Sequence, residues 1–388
     1  MRSTAHGRRR RPAGRAAGVV AVAVVLLGTG VAPAIAGGAA AVAHLAPGST
    51  RWVRATPPSG LRGVLLRGLS CAAASCLAIG ERCAGGSCNG ATPQLAVATT
   101  TRGRTWARVT APPSFEFAYQ AVSCVSARRC LVGGTLDPTS KHPTAAVAIS
   151  ATLGRSWSTS LITGLGTVIT ATCASVAVCY AVGYSNPPVS QVAYGQIATS
   201  RNGGATWTVR TFPATGDVDG LSCTTPSTCT AFGTSLAGGS SILLHSTNAG
   251  ATWALRAVPA TVGLLRWLSC PAATSCVATS TRASGSNWID TTHNGGATWA
   301  GRPIGTTNVL YAASCASAAT CEFVGQGVAD PLTATTVDRG ATWPLRLLNS
   351  FGHGRLWSIS CAAGSHCVAV GQTWTHAPAD GGPLLLTD

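Results

Sequence analysis

Apolar residues beyond residue 50 come in short runs separated by clusters of Gly, Pro, Ser, Thr and Asn. Examples are Cys179-Tyr180-Ala181-Val182-Gly183, Ile242-Leu243-Leu244-His245, Thr252-Trp253-Ala254-Leu255-Arg256 and Cys367-Val368-Ala369-Val370-Gly371. Runs this short, bounded by turn formers, predict strands, and no helical period extends beyond the N-terminal segment. The runs recur in a fixed order with a period of about 44 to 54 residues. Each unit opens with an apolar-Ser-Cys segment, such as Leu221-Ser222-Cys223 or Ile359-Ser360-Cys361, followed by a turn. A second Cys starts the second strand, a variable loop leads to a third, and an eight-residue turn feeds a fourth. Four strands per repeated unit predict the blades of a β-propeller.

The eight-residue turn is the clearest repeat. Near copies of Ser200-Arg201-Asn202-Gly203-Gly204-Ala205-Thr206-Trp207 stand at 99–106, 150–157, 246–253, 292–299 and 336–343. All have Gly fifth and Trp eighth, and Ser or Thr comes first. Asn202, Asn248, Asn294 and Asp338 occupy the third position. Gly suits a turn residue with positive φ, an Asn or Asp side chain can bond the backbone beyond it, and Trp can cover the turn. The flanks complete the count. Trp52-Val53-Arg54 resembles a fourth strand with no box before it, while Leu384-Leu385-Leu386-Thr387 resembles a third strand and box opening with no fourth strand after it. The expected fold is therefore all-β: a seven-bladed β-propeller of four-stranded blades, closed by pairing N- and C-terminal strands so that no sheet edge is left open. Seven Trp (52, 106, 157, 207, 253, 299 and 343) give the same number.

With these boxes, residues 50–388 resemble the Asp-box or BNR repeats of sialidase-like propellers and of photosystem II assembly-factor-like propellers. The resemblance departs at Thr101 and Thr152, where the Asn or Asp is missing, and only Asp338 is an Asp. In that family the boxes are structural. Likeness to sialidases implies an Arg cluster for a substrate carboxylate, a Tyr nucleophile paired with Glu, and an Asp acid-base. Against this, the usual R-I-P entry motif is absent, seven blades are expected rather than six, and Glu116 is the one convincing candidate among three Glu.

Sixteen Cys sharpen the picture. Seven pairs recur once per unit: Cys71 and Cys76, Cys124 and Cys130, Cys173 and Cys179, Cys223 and Cys229, Cys270 and Cys276, Cys315 and Cys321, Cys361 and Cys367. An eighth pair, Cys83 and Cys88, lies inside the first unit. Their spacing suits disulfides across short hairpin turns in an exported protein, and pairs scattered one per repeat do not converge on a zinc ion. Residues 1–36 read as a bacterial-type export signal, with a basic start, an apolar stretch at 16–27 and Ala34-Ile35-Ala36 before the cleavage point. Residues 37–49 are a short linker and 50–388 the propeller. Cleavage removes six Arg and no acid, so the formal charge falls from +16 to +10. The Arg are scattered, and nucleic acid is the least expected partner outside the cytoplasm. No cofactor or metal is expected. Membrane contact is expected only if the N-terminal segment stays uncleaved, and the protein is expected to be a secreted or envelope monomer.

Strands that alternate up and down place the Cys turns and boxes on one face of the disc and the long loops on the other. Asp217, Asp219, Asp330 and Glu116 fall on the loop face, and they are the candidate carboxylates if the protein is a glycoside hydrolase. Four residues before each first Cys the units carry Arg67, Gln120, Ile169, Asp219, Arg266, Tyr311 and Trp357. Such repeat-breaking positions are where a symmetric scaffold would hold an asymmetric ligand. Arg266, Trp267, Trp288, Tyr311, Arg355, Trp357 and Trp374 are the expected ligand-binding residues, as aromatics flanked by Arg make platforms for peptide or sugar. The function expected is non-enzymatic binding or scaffolding of an envelope protein or glycan through the loop face, with a sialidase-like glycosidase as the alternative.

Overall fold

A computed structural model describes residues 52–83, 94–113, 121–136, 143–185, 192–362, 366–375 and 381–388. The expected export signal, the linker, Cys88, Glu116 and Gln120 lie outside the described residues. The strands form seven four-stranded antiparallel sheets, and in six of them the spatial order follows the sequence. The first strands are Val64–Ala72, Val122–Cys124, Thr167–Cys173, Thr215–Cys223, Leu264–Ser269, Val309–Cys315 and Gly354–Ala362. Each meets the first strands of the blades on either side, so these strands surround the axis.

The seventh blade is a composite. Its first three strands are Gly354–Ala362, His366–Thr373 and Gly382–Thr387, and its outer strand is Val53–Arg54, with Val53 opposite Thr387 and Arg54 opposite Leu386. The ring thus closes between the two ends of the propeller, as the sequence predicts. Among the described residues the only helical pieces are two 3-10 turns, Ala260–Val262 and Asn349–Phe351.

Second and third strands are buried on both sides, which is why they read as continuous apolar runs and not as strict alternation. Their side chains fill the wedges between blades. Leu77 and Ile79 of blade 1, for instance, join Val132, Ala146 and Ala148 of blade 2 in one cluster. Outer strands such as Ala254–Ala257 are exposed throughout.

The boxes explain their own sequence. Positions four and five both take positive φ in all six copies, from Arg102 and Gly103 to Arg339 and Gly340. In the 200–207 copy, Ser200 Oγ accepts from Gly204 N at 2.8 Å, Asn202 Oδ1 accepts from Thr206 N at 2.9 Å, and Trp207 Nε1 donates to Gly204 O at 3.0 Å. Where the Asn or Asp is missing, a hydroxyl takes over: Thr101 Oγ1 accepts from Thr105 N at 3.0 Å and Thr152 Oγ1 from Ser156 N at 2.9 Å. The backbone N–H of position four always donates to a carbonyl in the same blade's Cys turn, as Gly203 N does to Ala177 O at 2.7 Å. Boxes and Cys turns therefore share one face.

Seven disulfides span the first and second strands of their own blades, one per blade, and no cysteine is free among the described residues. On the chain-entropy account a loop of this size contributes about 2 kcal/mol. Cys83 is also disulfide-bonded. The Ser before the first Cys has its own task, because its Oγ accepts from the Cys N–H of the next blade. Ser70 serves Cys124 at 2.8 Å, Ser123 serves Cys173 at 3.0 Å, Ser222 serves Cys270 at 2.9 Å and Ser314 serves Cys361 at 2.9 Å. Ser360 serves Cys71 at 3.0 Å across the closure.

Candidate functional site

In six blades the first strand carries a β-bulge, and the extra residue is the one four positions before the first Cys: Arg67, Ile169, Asp219, Arg266, Tyr311 and Trp357. Gln120, the seventh such position, lies outside the described residues. A bulge bends its strand and leaves one side chain out of the ladder. Glycine on the second strand makes room for it. A Cβ on Gly80, Gly183, Gly325 or Gly371 would fall on a carbonyl oxygen of the bulged strand, about 2 Å away in each case.

The bulge residues follow one another around the axis and touch across blades. Tyr311 and Trp357 stack with ring centroids 4.4 Å apart at 34°. Arg67 lies over the other side of the closure with its Cζ 5.0 Å from the Trp357 centroid, and its Nε is 3.1 Å from Glu81 Oε1. Glu81 is fully buried, so Arg67 is held by a charge that cannot wander. Arg355 Cζ stands 5.2 Å from the Trp357 ring and 4.9 Å from the Trp374 ring. Tyr311, Trp357, Arg355 and Trp374 are all half-buried. They form a cationic-aromatic cluster over blades 6, 7 and 1, in which guanidinium faces and rings can hold a flat or apolar group while carrying positive charge.

Blade 4 supplies a carboxylate to the same ring and blade 5 an arginine. Burial, with the Asp217 charge adding to it and Arg266 opposing, pushes the Asp219 carboxyl up to about 6. Asp217 accepts from Thr234 N at 3.0 Å and Thr234 Oγ1 at 2.5 Å. Arg266 is exposed.

The other sequence candidates are placed differently. Trp267, next to the bulge, turns into the seam between blades 5 and 6, where it packs on the cores of both blade interfaces and donates from Nε1 to Ala313 O at 3.3 Å. Trp288 stands on the third strand of blade 5 under Arg282, whose Cζ is 4.7 Å from its ring. Asp330, in the loop between the second and third strands of blade 6, lies 2.9 Å from Nδ1 of His353, in the connection from blade 6 to blade 7. Sequence reasoning passed over Arg67 as a ligand residue, and it overlooked a buried polar triad in blade 5. There Asp290 Oδ1 accepts from Arg282 at 2.5 Å and Asp290 Oδ2 from Ser280 Oγ at 2.5 Å. Ser280 holds the position that is glycine in the other bulged blades. That Cys-x-x-x-Gly spacing in the second strands was the available signal for the bulges. Among the described residues no group of His, Cys, Asp and Glu is arranged to hold a metal ion, and no helix is long and apolar enough to cross a membrane.

The arrangement defines a β-propeller with an asymmetric cluster at its axial mouth. No protein-family model matches the chain. No curated protein matches it either. Among solved structures, the chain is similar to YCF48 bound to D1 peptide, with a TM-score of 0.57 and 13% identity over 86% of this chain and 95% of that one. It is similar to the GH74 xyloglucanase from Xanthomonas campestris, with a TM-score of 0.53 and 13% identity, covering 86% of this chain; the match spans 55% of the xyloglucanase. The β-propeller domain of the trilobed protease from Pyrococcus furiosus gives 0.54 with 8% identity, over 84% of this chain and 92% of that one. That domain has an open velcro topology, whereas here Val53–Arg54 pairs with the last strand. At these identities the likeness is one of fold, and the fold hosts both binding proteins and glycoside hydrolases.

Proposed function

We propose that the chain is an exported, non-enzymatic binding propeller that holds a segment of a protein or glycan of the cell envelope at its loop-face axial mouth. The observation that carries this reading is the Tyr311–Trp357 stack flanked by Arg67 and Arg355. Rings and guanidinium groups lie together at positions where the repeat itself demands nothing, and the residue differs from blade to blade. The seven disulfides fit an oxidising environment. In this reading residues 1–36 are the export signal, 50–388 is one domain, and the boxes are Asp-box repeats that act as fasteners.

The test is a screen of the purified protein against peptide and glycan arrays, followed by titration of the hits against Tyr311→Ala/Trp357→Ala. Removing the stack should weaken binding at least about tenfold, the scale of two desolvated aromatic contacts. Hits whose affinity survives the double change would sink the assignment. Trp267→Ala is unsuitable for this purpose, because that indole packs between blades.

The glycoside hydrolase reading draws support from Asp219. A carboxyl raised to about 6 beside a second carboxylate is the electrostatic arrangement of an acid and its partner. Incubation with sialosides and with plant and bacterial glycans tests it. Turnover lost in Asp219→Asn or Glu116→Gln would establish the enzyme, and an inert wild type would exclude it for those substrates.

A further inference from the structure

The box side of blades 1 to 4 carries charge of one sign. Arg102, Arg104, Arg128, Arg129, Arg155 and Arg201 stand in its boxes and Cys turns, while the described carboxylates of those four blades, Glu81, Asp217 and Asp219, lie toward the loop end. Among the described residues only Arg67 and Arg282 of all the arginines enter ion pairs. Two clefts open along this side. One, of about 700 Å³, runs between the outer strand of blade 1 and the box of blade 2, and Arg108, Arg128 and Arg155 line it with Thr99, Thr105 and Thr152. The other, of about 470 Å³, repeats the arrangement between blades 3 and 4 with Arg201, Arg210, Thr206 and Thr208. No carboxylate lines either cleft.

We propose that these two clefts are subsites for one extended anionic polysaccharide, a carboxylate-bearing glycan that runs along the box rim from blade 1 to blade 4. Guanidinium forks match carboxylates in charge and geometry. The threonine hydroxyls between them match sugar hydroxyls, which a bare cationic patch would not address. A flat membrane surface does not fill two concave clefts, and of the larger cleft's aliphatic side chains Ala98 and Leu153 are buried and Val109 half-buried, which leaves the methyl groups of Ala107 and Ala127 exposed. Nucleic acid would call for exposed rings on which bases stack, but Trp106, the one aromatic in the larger cleft, is buried with its Nε1 donating to Gly103 O at 2.8 Å. Charge concentrated on one side also gives the polymer a field to follow.

Spanning two subsites predicts a dependence on chain length, since the second contact becomes intramolecular once the first is made. The experiment is calorimetric titration of the full chain with oligogalacturonates of about four and about twenty units. The long polymer should bind at least about tenfold tighter per chain than the short one. Arg128→Gln/Arg155→Gln should lower its affinity about tenfold or more, and Arg210→Gln should reduce the advantage of length. The control is Arg302→Gln/Arg346→Gln, which removes equal charge from the outer strands of blades 5 and 6 and should change affinity less than about twofold. Circular dichroism checks that the variants fold, and among the described residues Arg128 and Arg155 take part in hydrogen bonds through their backbone atoms, which the substitutions keep. Equal losses in cleft and control variants would overturn the proposal, as would failure to bind galacturonate. Tighter binding to phosphatidylglycerol vesicles or to oligo-deoxythymidylate would overturn it in favour of a lipid or a nucleic acid.

Discussion

Glu322 gives the sharpest quantitative test of how the ring is held shut. It follows Cys321 on the second strand of blade 6, is 2% exposed, and sits at the seam where Trp52 of the N-terminal segment docks. Burial, with the nearby Asp388 charge adding to it, raises its carboxyl from 4.5 to about 8; Thr335 and Trp52 beside it, with Arg346 further off, pull the other way. In the folded protein Glu322 thus keeps a proton that the unfolded chain releases above pH 4.5. Stability falls as pH rises from about 4.5 to 8, then levels off, because over that window the native state binds more protons. At 1.36 kcal/mol per unit the whole rise corresponds to roughly 5 kcal/mol. Glu322→Gln keeps the shape and removes the titration, so the variant should match wild type near pH 4.5 and exceed it by up to roughly 5 kcal/mol at pH 9. For about 340 residues the unfolding entropy is about 0.7 kcal/mol/K, which converts the gain to a Tm difference of about 7 °C. Thermal melts of both proteins across pH 4.5 to 9 provide the assay. The raised carboxyls of Asp219 and Asp388 are common to both, so the difference reports Glu322. Parallel pH profiles would refute the reasoning.

Gly183→Ala would place its Cβ 1.9 Å from Thr167 O, so the bulge at Ile169 must break; a loss of about 3 kcal/mol or more is expected in urea denaturation, or failure to fold. Ser123→Ala removes the acceptor for Cys173 N at 3.0 Å and for Thr172 Oγ1 at 3.3 Å, and should cost about 1–2 kcal/mol in the same assay. Burial is the largest single influence on the Asp338 carboxyl and raises it, but the hydrogen bonds from Thr336, Thr342 and the backbone together outweigh it and hold the group down at about 2. That box should keep its stabilising bonds until pH falls through 2, and Asp338→Asn, which restores the residue of three other boxes, should leave the Tm at neutral pH nearly unchanged while Asp338→Ala lowers it.

The architecture was legible because it is written several times over. One box could be chance, whereas six boxes, seven Cys pairs and two complementary half-blades at the flanks leave one way to close the ring. The same repetition isolated the axial position, since Arg67, Asp219, Tyr311 and Trp357 are the places where equivalent residues disagree. What could not be read was direction. Trp267 and Arg266 are neighbours in sequence, and only the bulge between Leu265 and Trp267 sends one outward and the other into the seam. The pairing of Arg67 with Glu81 and of Arg282 with Asp290 likewise depends on strand register, which a single sequence does not print. Thr101 and Thr152 looked like gaps in the motif, yet a threonine hydroxyl accepts the same N–H that an Asn oxygen would.

Each of the seven described bridges joins two adjacent strands of one blade, so none of them crosses from blade to blade. Among the described residues, a chain rich in covalent staples is therefore a circle with no covalent clasp. Its closure rests on non-covalent contacts that include the pairing of Val53–Arg54, the Ser360 hydroxyl under Cys71 N, the Thr387 hydroxyl donating to Arg102 O, and the packing of Trp52 and of Val368, Val370 and Leu385 at the seam. Reductant would soften every blade alike without selecting where the circle opens. Force applied between the two flanks would do the opposite, peeling the seventh blade first while six intact hairpins remain stapled behind it.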